Sequence, residues 1–373
     1  MSRIAILGSG AWGTAIALAL HRRGDHQIAL WSFSAAEAGK IAAAKENILF
    51  LPGFPLPASI TITADGAAVA EAEIVVSVIP SEFLRSTLAR LRPYFRPGQI
   101  VVSATKGVEN NTHLRMTEVI ASSLTASAPR GPIFSKANPD THLEVFTEDE
   151  SPEVSSSGMQ PAPRELDELT LAIGAFSGPS FALEVAQGQP TAVTVAFDDP
   201  AVAARIQHEF ASETLRLYTS TDVIGVELGG ALKNVIAIAA GACDGLGFGY
   251  NTRAALITRG LAEVARLALA KGGHVLTLAG LAGLGDLVLT CTGELSRNRT
   301  VGYELGRGKS LADALGELGH VAEGVVTADS AYHLAARLGV DLPISSEVYR
   351  VLFEGKPVSE AVRAVLSRPL KRE

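Results

Sequence analysis

Short apolar runs alternate with helical stretches in the first half of the chain. Such runs are typical of buried parallel strands, and residues 11–23 between the first two show a helical pattern that ends at Gly24. Strands that alternate with helices predict a parallel α/β sheet with right-handed crossovers. The predicted strands lie at residues 3–7, 27–32, 74–79, 100–104, 171–176 and 191–196.

The pattern changes near residue 220. Segments rich in Ala, Leu, Ile and Val predict helices, and no strand alternation follows residue 219. We therefore predict an α/β domain over residues 1–219 and an all-helical domain over residues 220–373. The predicted helices lie at residues 222–241, 252–271, 310–319, 325–338, 344–354 and 358–366.

Residues 135–169 interrupt the α/β pattern. This stretch is polar, acidic and rich in Pro and Ser, with segments such as Thr147-Glu-Asp-Glu-Ser-Pro-Glu. Such a composition cannot bury enough apolar surface to order itself strongly. We interpret it as a mobile surface insertion rather than a separate domain.

Composition narrows the class of protein. A net charge of −7 argues against a general nucleic-acid partner, although a small anionic ligand needs only a local cluster of donors. Two distant cysteines, Cys243 and Cys291, imply no disulfide framework. Because the sequence also shows no signal peptide and no uninterrupted apolar run of membrane length, we predict a cytoplasmic protein without a membrane span.

A glycine-rich turn follows the first predicted strand. The sequence Gly8-Ser-Gly10-Ala-Trp-Gly13 stands directly after the strand and opens a helix, which is the context that a dinucleotide-binding turn requires. Gly8 allows the tight turn, Gly10 admits a pyrophosphate, and Gly13 permits close helix–strand packing. The alternative is a purely structural turn. The motif favours a Rossmann-type domain that binds NAD or NADP.

The end of the second predicted strand bears on the choice of cofactor. The segment there is Leu-Trp-Ser32-Phe33-Ser, which lacks the carboxylate that would grip a free ribose 2′-hydroxyl. We find no Arg beside the strand end, although Lys40 and Lys45 follow a little further on. The segment therefore favours NADP and leaves NAD open.

Lys233 lies in the middle of an apolar helix rich in small residues. Burying an unpaired ammonium is costly, so either the side chain reaches solvent along an edge or its pKa falls toward neutrality. A lysine of the second kind can exchange a proton with a substrate oxygen. Asp286 and Thr290, four residues apart, share one helical face, and Asp286 is either an N-cap or an orienting partner for Lys233.

Three further segments are weaker signals when taken alone. Lys106 and the segment that starts at Gly178 each follow a predicted strand, at the sheet edge where ligands bind in open α/β folds. The Ser296-Arg-Asn-Arg segment offers a planar guanidinium and neutral donors to phosphate oxygens. No metal-ligand spacing is present among the eight His residues.

Together these segments resemble the bacterial NAD(P)-dependent glycerol-3-phosphate dehydrogenase family. The similarity runs from Gly8 to about Gly355, apart from the insertion. It is carried by Gly8-Ser-Gly-Ala-Trp-Gly-Thr-Ala, Ala104-Thr-Lys-Gly, Ser177-Gly-Pro-Ser-Phe-Ala, Gly225-Val-Glu-Leu-Gly-Gly-Ala-Leu-Lys-Asn-Val-Ile-Ala-Ile, Thr258-Arg-Gly-Leu-Ala-Glu, Gly283-Leu-Gly-Asp-Leu-Val-Leu-Thr-Cys-Thr and Ser296-Arg-Asn-Arg.

The resemblance implies a role for each matching residue. It makes Lys233 the acid/base, with Asp286 and Lys106 as its catalytic partners. Phe33 departs from the His or Arg that relatives often carry there. The implied substrate-binding residues are Lys106, Gly178, Ser180, Lys233, Asn234, Asp286, Thr290, Ser296, Arg297 and Asn298. The implied cofactor-binding residues are Gly8, Gly10, Ala11, Trp12, Gly13, Phe33, Lys106, Ala182, Arg297, Val321 and Glu323.

The implied activity is hydride transfer between NAD(P)H and dihydroxyacetone phosphate, which gives sn-glycerol 3-phosphate for phospholipid synthesis. The helical domain would then bind the substrate. Two alternatives stay open. One is a related dehydrogenase that acts on a 3-hydroxy acid or ketopantoate, and the other is a non-enzymatic dinucleotide sensor. The oligomeric state is undetermined, and a homodimer is one open alternative.

Overall fold

The computed structural model describes residues 1–124, 169–318 and 322–369. Residues 135–168 of the predicted insertion lie outside these ranges, and so does Val321. The fold of the described residues is a sheet covered by helices on both faces, followed by a helical half.

Eight strands form one sheet in the order β3-β2-β1-β4-β5-β6-β7-β8. All six predicted strands are present, within two residues at each boundary. The prediction missed the short β3 and the outer β8. The strands are β1 Arg3–Leu7, β2 Gln27–Trp31, β3 Ile60–Thr63, β4 Ile74–Ser77, β5 Ile100–Ser103, β6 Ala172–Ser177, β7 Thr191–Ala196 and β8 Leu215–Ser220.

The sheet is mainly parallel, as predicted, but its last two strands are reversed. Strand β7 pairs antiparallel with β6, with Phe176 opposite Val195, whereas β7 and β8 pair parallel to each other. Residues 178–190 connect β6 and β7 with a short helix, which allows the chain to turn back beside β6 instead of crossing over. The remaining pairs are parallel.

Both faces of the sheet are buried, because side chains of a strand point alternately to its two sides. On β1, Ile4 and Ile6 enter one hydrophobic cluster, while Ala5 and Leu7 enter a second one on the opposite face. The helices that cover the sheet are α1 Ala11–Arg23, α2 Ala35–Ala44, α3 Ala67–Glu71, α4 Ser81–Leu91, α5 Met116–Leu124, α6 Ala182–Ala186 and α7 Pro200–Phe210.

The described residues after β8 contain helices and no strand, which agrees with the predicted helical half. Of three helices between residues 275 and 306, the prediction missed two and expected the third only in placing Asp286 and Thr290 on one helical face. The helices are α8 Val223–Gly245, α9 Tyr250–Ala270, α10 Val275–Leu278, α11 Asp286–Thr292, α12 Arg297–Gly306, α13 Leu311–Leu318, α14 Glu323–Leu338, α15 Pro343–Phe353 and α16 Val358–Leu366. A π-helical turn, Leu281–Gly285, leads into α11.

Helix α8 is the central element of the helical half. Its N-terminus is capped by Asp222, whose Oδ1 accepts a hydrogen bond from Gly225 N at 2.8 Å. Within the described residues it is the one helix long and apolar enough to cross a membrane, but 94% of its apolar window is buried inside the protein. This burial is typical of a core helix. Whether the two halves are separate domains that divide near residue 220 stays a prediction.

Candidate active site

The glycine-rich turn between β1 and α1 has room for a ligand at one position and none at its neighbours. Gly8 has a φ of 119°, and a Cβ on Gly13 would lie 1.9 Å from the Gly8 carbonyl oxygen. A Cβ on Gly10, in contrast, would meet no atom within 4 Å. The turn therefore leaves open space beside the N-terminus of α1, where free N–H groups favour phosphate.

The buried side chain of Asn47 holds this turn in place. Its Nδ2 donates hydrogen bonds to Ser9 O at 2.6 Å and to Thr14 Oγ1 at 2.8 Å. Sequence reasoning missed Asn47, because a single Asn in a loop gives no signal of a contact 38 residues away.

Lys106 and Gly178 meet at the carboxyl ends of β5 and β6. Lys106 Nζ donates a hydrogen bond to Gly178 O at 3.1 Å, and its side chain is only 14% exposed. Gly178 has a φ of 154°, and a Cβ there would lie 2.9 Å from Val193 Cα. The backbone of this segment therefore packs closely on β7 while its carbonyl receives the lysine.

Asp286 joins Lys106 to Lys233. Its Oδ1 accepts a hydrogen bond from Lys233 Nζ at 2.5 Å, and its Oδ2 accepts one from Lys106 Nζ at 2.7 Å. Lys233 also donates to Thr290 Oγ1 at 2.9 Å, and Thr290 Oγ1 donates to Asp286 O at 2.6 Å. Lys233, Asp286 and Thr290 are all buried. The structure thus brings four of the predicted site residues into one hydrogen-bonded group.

Two glycines of α8 allow this close approach. A Cβ on Gly229 would lie 2.6 Å from Ala282 O in the π-helical turn, and a Cβ on Gly230 would lie 2.4 Å from Ser177 Oγ. The side chain of Asp286 does not cap a helix end, since α11 starts at Asp286 itself after Gly285. Of the two predicted alternatives for Asp286, its contacts are those of a partner for Lys233.

The pKa of Lys233 is lowered from its usual value near 10.5 to about 8. Burial is the largest cause. The Asp286 carboxylate acts in the opposite direction and raises the pKa, while the positive charge of Lys106 lowers it further. The predicted alternative in which Lys233 reaches solvent is not what the structure shows, because the side chain is buried among these groups.

The predicted phosphate-binding segment forms the start of α12. Ser296 caps this helix, its Oγ accepting a hydrogen bond from Arg299 N at 3.3 Å, whereas Arg297 is exposed. Asn298 Oδ1 accepts a hydrogen bond from Gly324 N at 2.9 Å, which leaves the Asn298 amide group oriented as a donor. A Cβ on Gly324 would lie 2.8 Å from Asn234 O, so this segment also contacts α8 next to Lys233.

Glu323, the first residue of α14, belongs to the same electrostatic environment. Burial raises its pKa, while Arg297, Lys106 and Lys233 act to lower it. The buried Nδ2 of Asn234 has no hydrogen-bond partner among the described residues. The surroundings of Lys233 therefore combine several positive charges with at least one donor that has no partner among the described residues.

The other predicted cofactor residues lie around the same sheet edge. Ala11 and Trp12 begin α1, and the buried Trp12 Nε1 has no partner among the described residues. Ala182 begins α6, and Ser180 Oγ donates to Gly178 O at 3.0 Å. Within the described part of the chain, no three His, Cys, Asp or Glu side chains are grouped so that they could hold a metal ion.

An arginine lies beside the end of β2, contrary to the sequence interpretation. Arg90, on α4, places its guanidinium 4.4 Å from the centre of the Phe33 ring and donates a hydrogen bond to Phe33 O at 3.1 Å. It also lies 5.3 Å from the Trp31 ring centre. The prediction considered only neighbours in sequence, whereas α4 reaches this position by packing beside β2.

An open glycine-rich turn at the same sheet edge as a buried lysine–carboxylate pair is the arrangement of a nicotinamide-dependent dehydrogenase. The family models agree and are more specific. The model for the N-terminus of NAD-dependent glycerol-3-phosphate dehydrogenase matches residues 3–135 and 159–203, and the model for its C-terminus matches residues 222–363. The chain belongs to the NAD-dependent glycerol-3-phosphate dehydrogenase family.

Individual relatives give the same result over the whole chain. Glycerol-3-phosphate dehydrogenase [NAD(P)+] of Koribacter versatilis is 49% identical over 375 residues, which covers 100% of this chain and 99% of the relative. The enzyme of that name from Acidobacterium capsulatum is 50% identical over 378 residues, with full coverage of both. A crystal structure of glycerol-3-phosphate dehydrogenase from Coxiella burnetii matches with a TM-score of 0.83 at 34% identity, covering 98% and 99% of the two chains.

The comparisons confirm the predicted family, the fold class, the activity as an oxidoreductase that acts on a CH–OH group, and the dependence on NAD or NADP. They do not test the roles of single residues, which therefore remain predictions. The alignments to the first two relatives run through residues 135–169, whereas the N-terminal family model breaks between residues 135 and 159.

Proposed function

We propose that this protein interconverts dihydroxyacetone phosphate and sn-glycerol 3-phosphate, with Lys233 as the general acid and base. The observation that carries this assignment is the buried group of Lys233, Asp286, Lys106 and Thr290. The enzymes named for this reaction in Koribacter and Acidobacterium support it, since they align with the whole chain.

The lowered pKa suits Lys233 to both directions of the reaction. With a pKa of about 8, most of the side chain is protonated at neutral pH, while an appreciable fraction is the free amine. The ammonium can stabilise and protonate the oxygen of the ketone as it becomes an alcohol. The free amine can accept that proton when the alcohol is oxidised.

Asp286, Lys106 and Thr290 position the reacting amine. Asp286 offers one oxygen to each lysine, which holds both ammonium groups on one side of the cleft. Thr290 accepts a hydrogen bond from Lys233 and is itself fixed by its bond to Asp286 O. With these contacts, two of the three Nζ–H bonds of the protonated Lys233 are directed at protein groups, and the third remains for a substrate oxygen.

The start of α12 is the proposed holder of the substrate phosphate. Arg297 offers a guanidinium fork, which suits phosphate oxygens. The amide group of Asn298 adds a neutral donor, since its Oδ1 is occupied by Gly324 N. Asn234 Nδ2, buried and without a partner among the described residues, is a further donor beside Lys233. These donors would favour a phosphorylated ketone over an unphosphorylated one.

The residues around the glycine-rich turn fit a dinucleotide. The open space at Gly10 and the free N–H groups of α1 suit its pyrophosphate, while Glu323 and Lys106 lie toward the reacting end. When bound, the reduced nicotinamide supplies hydride to the ketone carbon. The chain itself orients the two reactants and manages the proton.

A carbonyl panel tests this assignment. Absorbance of NADPH and NADH is followed with dihydroxyacetone phosphate, dihydroxyacetone, ketopantoate and a 3-oxo acid, using the wild type, Lys233→Met and the surface variant Lys309→Met. We expect turnover of the phosphorylated ketone, a loss of about 10²- to 10⁴-fold in Lys233→Met, and no change in Lys309→Met. Cofactor binding, measured by protein fluorescence, should persist in both variants.

Two results would reject the proposal. Wild-type turnover with ketopantoate or the 3-oxo acid but not with dihydroxyacetone phosphate would make the chain a different dehydrogenase. No turnover from folded protein that binds the cofactor would favour a dinucleotide sensor. Equal activity of Lys233→Met and wild type would remove Lys233 from the chemistry while leaving the substrate assignment intact.

The setting of the reaction is also part of the proposal. We place the enzyme in the cytoplasm, in keeping with Cys243 and Cys291, which are free and buried. Its product would enter phospholipid synthesis, and residues 220–373 would form its helical substrate-binding domain. A homodimer stays one open alternative for its oligomeric state.

A further inference from the structure

We propose that Arg90 receives the 2′-phosphate of NADPH and thereby makes NADPH the preferred cofactor of this enzyme. The proposal goes beyond the established dependence on NAD or NADP, because it names the residue that distinguishes the two. It depends on the position of one guanidinium at the end of β2 and on the absence of a carboxylate from residues 31–34.

The end of the second strand is where an α/β dinucleotide-binding fold recognises the ribose of the adenosine. A carboxylate there binds the free 2′-hydroxyl of NADH, whereas an arginine there binds the 2′-phosphate of NADPH. In this chain β2 ends at Trp31, and Ser32 and Phe33 follow it. Ser32 is buried and carries no charge, so the strand end itself supplies no group that would repel a phosphate.

Arg90 supplies the positive charge from another element. It lies on α4 and is exposed, yet its guanidinium is fixed on two sides. The Phe33 ring lies 4.4 Å below it, and the hydrogen bond from Arg90 Nη2 to Phe33 O measures 3.1 Å. This geometry uses one N–H of the guanidinium and leaves others available to phosphate oxygens.

No salt bridge neutralises Arg90 within the described part of the chain. Other arginines of the same half are paired there, for example Arg85 with Glu109 at 2.8 Å. An arginine that is held in place by an aromatic ring and a backbone carbonyl, with its charge still unbalanced, is suited to an anionic ligand.

The carboxylate of Glu37 lies near the end of β2 and limits the expected preference for NADPH. Glu37 Oε1 accepts a hydrogen bond from Ser9 Oγ at 2.8 Å, and the same hydroxyl lies 2.9 Å from Ser32 Oγ, so this carboxylate lies between the glycine-rich turn and the end of β2. Glu37 also lies in the first turn of α2, whose N-terminus favours negative charge. The charges of Glu37 and Arg90 act in opposite directions on a 2′-phosphate, so we expect NADPH to be preferred while NADH is still used.

The experiment measures binding of NADPH and NADH by titration calorimetry, together with adenosine 2′,5′-bisphosphate and adenosine 5′-monophosphate, which differ only in the 2′-phosphate. Arg90→Gln removes the charge. Arg96→Gln is the matched control, because Arg96 is exposed and precedes β5 at the opposite edge of the sheet. Neither residue is buried, so both variants should fold.

We expect Arg90→Gln to weaken the binding of NADPH and of the bisphosphate by about 10- to 100-fold, because a partly screened charge-assisted contact is lost. The affinity for NADH should change less than about threefold. The difference in NADPH affinity between wild type and Arg90→Gln should become smaller when the salt concentration rises from about 0.1 M to about 1 M, because salt screens the charge of Arg90. Arg96→Gln should bind all four ligands as the wild type does. The ratio of kcat/KM values for NADPH and NADH should fall in Arg90→Gln by the same factor as the affinity.

An equal loss of NADPH and NADH affinity in Arg90→Gln would overturn the proposal. It would mean that Arg90 only holds Phe33 in place for a part that the two cofactors share, such as the adenine. Unchanged binding of both cofactors would overturn it as well, and so would tighter binding of NADH than of NADPH by the wild type.

Discussion

Lys233 Nζ lies 2.5 Å from Oδ1 of Asp286, although the two residues are separated by 53 positions and belong to different helices. The contact joins the middle of α8 to the first residue of α11. Both side chains are buried, so the pKa of Lys233 depends on a balance between desolvation and the neighbouring charges. Changes to either neighbour should therefore alter the pH dependence of the enzyme.

The two directions of the reaction should respond oppositely to pH. Reduction of the ketone requires the Lys233 ammonium, so its kcat/KM should be constant at low pH and decline as the pH rises through about 8. Oxidation of the alcohol requires the free amine, so its kcat/KM should increase through the same pH. Initial rates in both directions across this range provide the measurement, and profiles that move in the same direction would contradict the assignment of Lys233.

Removal of each charged neighbour of Lys233 should move the midpoint of this pH profile in a defined direction. Asp286 raises the pKa of Lys233 and Lys106 lowers it. Asp286→Asn should therefore shift the decline in the reduction rate to lower pH, and Lys106→Met should shift it to higher pH. Both variants should also lose about 10²-fold in kcat/KM, since each removes a preorganised group of the site.

The comparison between these two variants provides its own control. A merely structural effect would lower the activity of both without moving the midpoint in opposite directions. Midpoints that shift together, or not at all, would show that another group titrates in the rate.

Thr290 should matter through its hydroxyl and not through its place in α11. Thr290→Val keeps the shape but removes the acceptor of the Lys233 hydrogen bond, and we expect kcat/KM to fall by about 10-fold, which corresponds to one hydrogen bond of a charged donor. Thr292→Val is the matched control, because Thr292 Oγ1 also bonds the carbonyl four residues earlier, at 2.7 Å, but is exposed. Steady-state kinetics of the two variants test this, and equal losses would indicate a general effect on the helix.

Substitution of Gly10 and of Gly13 by Ala should have different effects, the first on cofactor binding and the second on stability. At Gly13 the new Cβ would collide with the Gly8 carbonyl, so Gly13→Ala should lower the melting temperature or prevent folding. At Gly10 the Cβ meets no protein atom, so Gly10→Ala should fold normally but bind NADPH and NADH more weakly, because the methyl group occupies the space proposed for the pyrophosphate. Thermal unfolding and cofactor titration distinguish the two outcomes. Normal cofactor affinity in a folded Gly10→Ala would exclude this location.

Sequence patterns predicted the parts of the fold that depend on local periodicity. Strand β1 and the long helices α8 and α9 were predicted correctly, because each combines a clear apolar pattern with a defined end. Strand β8 was missed, since its alternation in Leu-Arg-Leu-Tyr-Thr-Ser is short and directly precedes an apolar helix. The antiparallel pairing of β7 was not predictable, because pairing direction is set by a loop path that the strand residues do not encode.

The site was predictable where one residue contradicts its surroundings. Lys233 was identified because a charge within an apolar helix requires an explanation, and the structure places Asp286 beside it. Arg90 gave no such signal, since an arginine on an amphipathic helix is ordinary. Its relation to Phe33 depends on packing between α4 and the end of β2, which only the folded chain shows.

The reversal of β7 and β8 determines where along its helix Lys233 meets Asp286. Because β8 runs opposite to β6, the chain leaves it toward the edge at which β1, β4 and β5 begin. Helix α8 starts there, and Lys233 lies ten residues into it, about 15 Å along its axis. Lys233 therefore lies in the middle of a continuous helix, with regular helical turns on both sides of it. A lysine carried in this way cannot swing out with a loop, because the helix fixes its Cα and the contacts with Asp286 and Thr290 fix its Nζ.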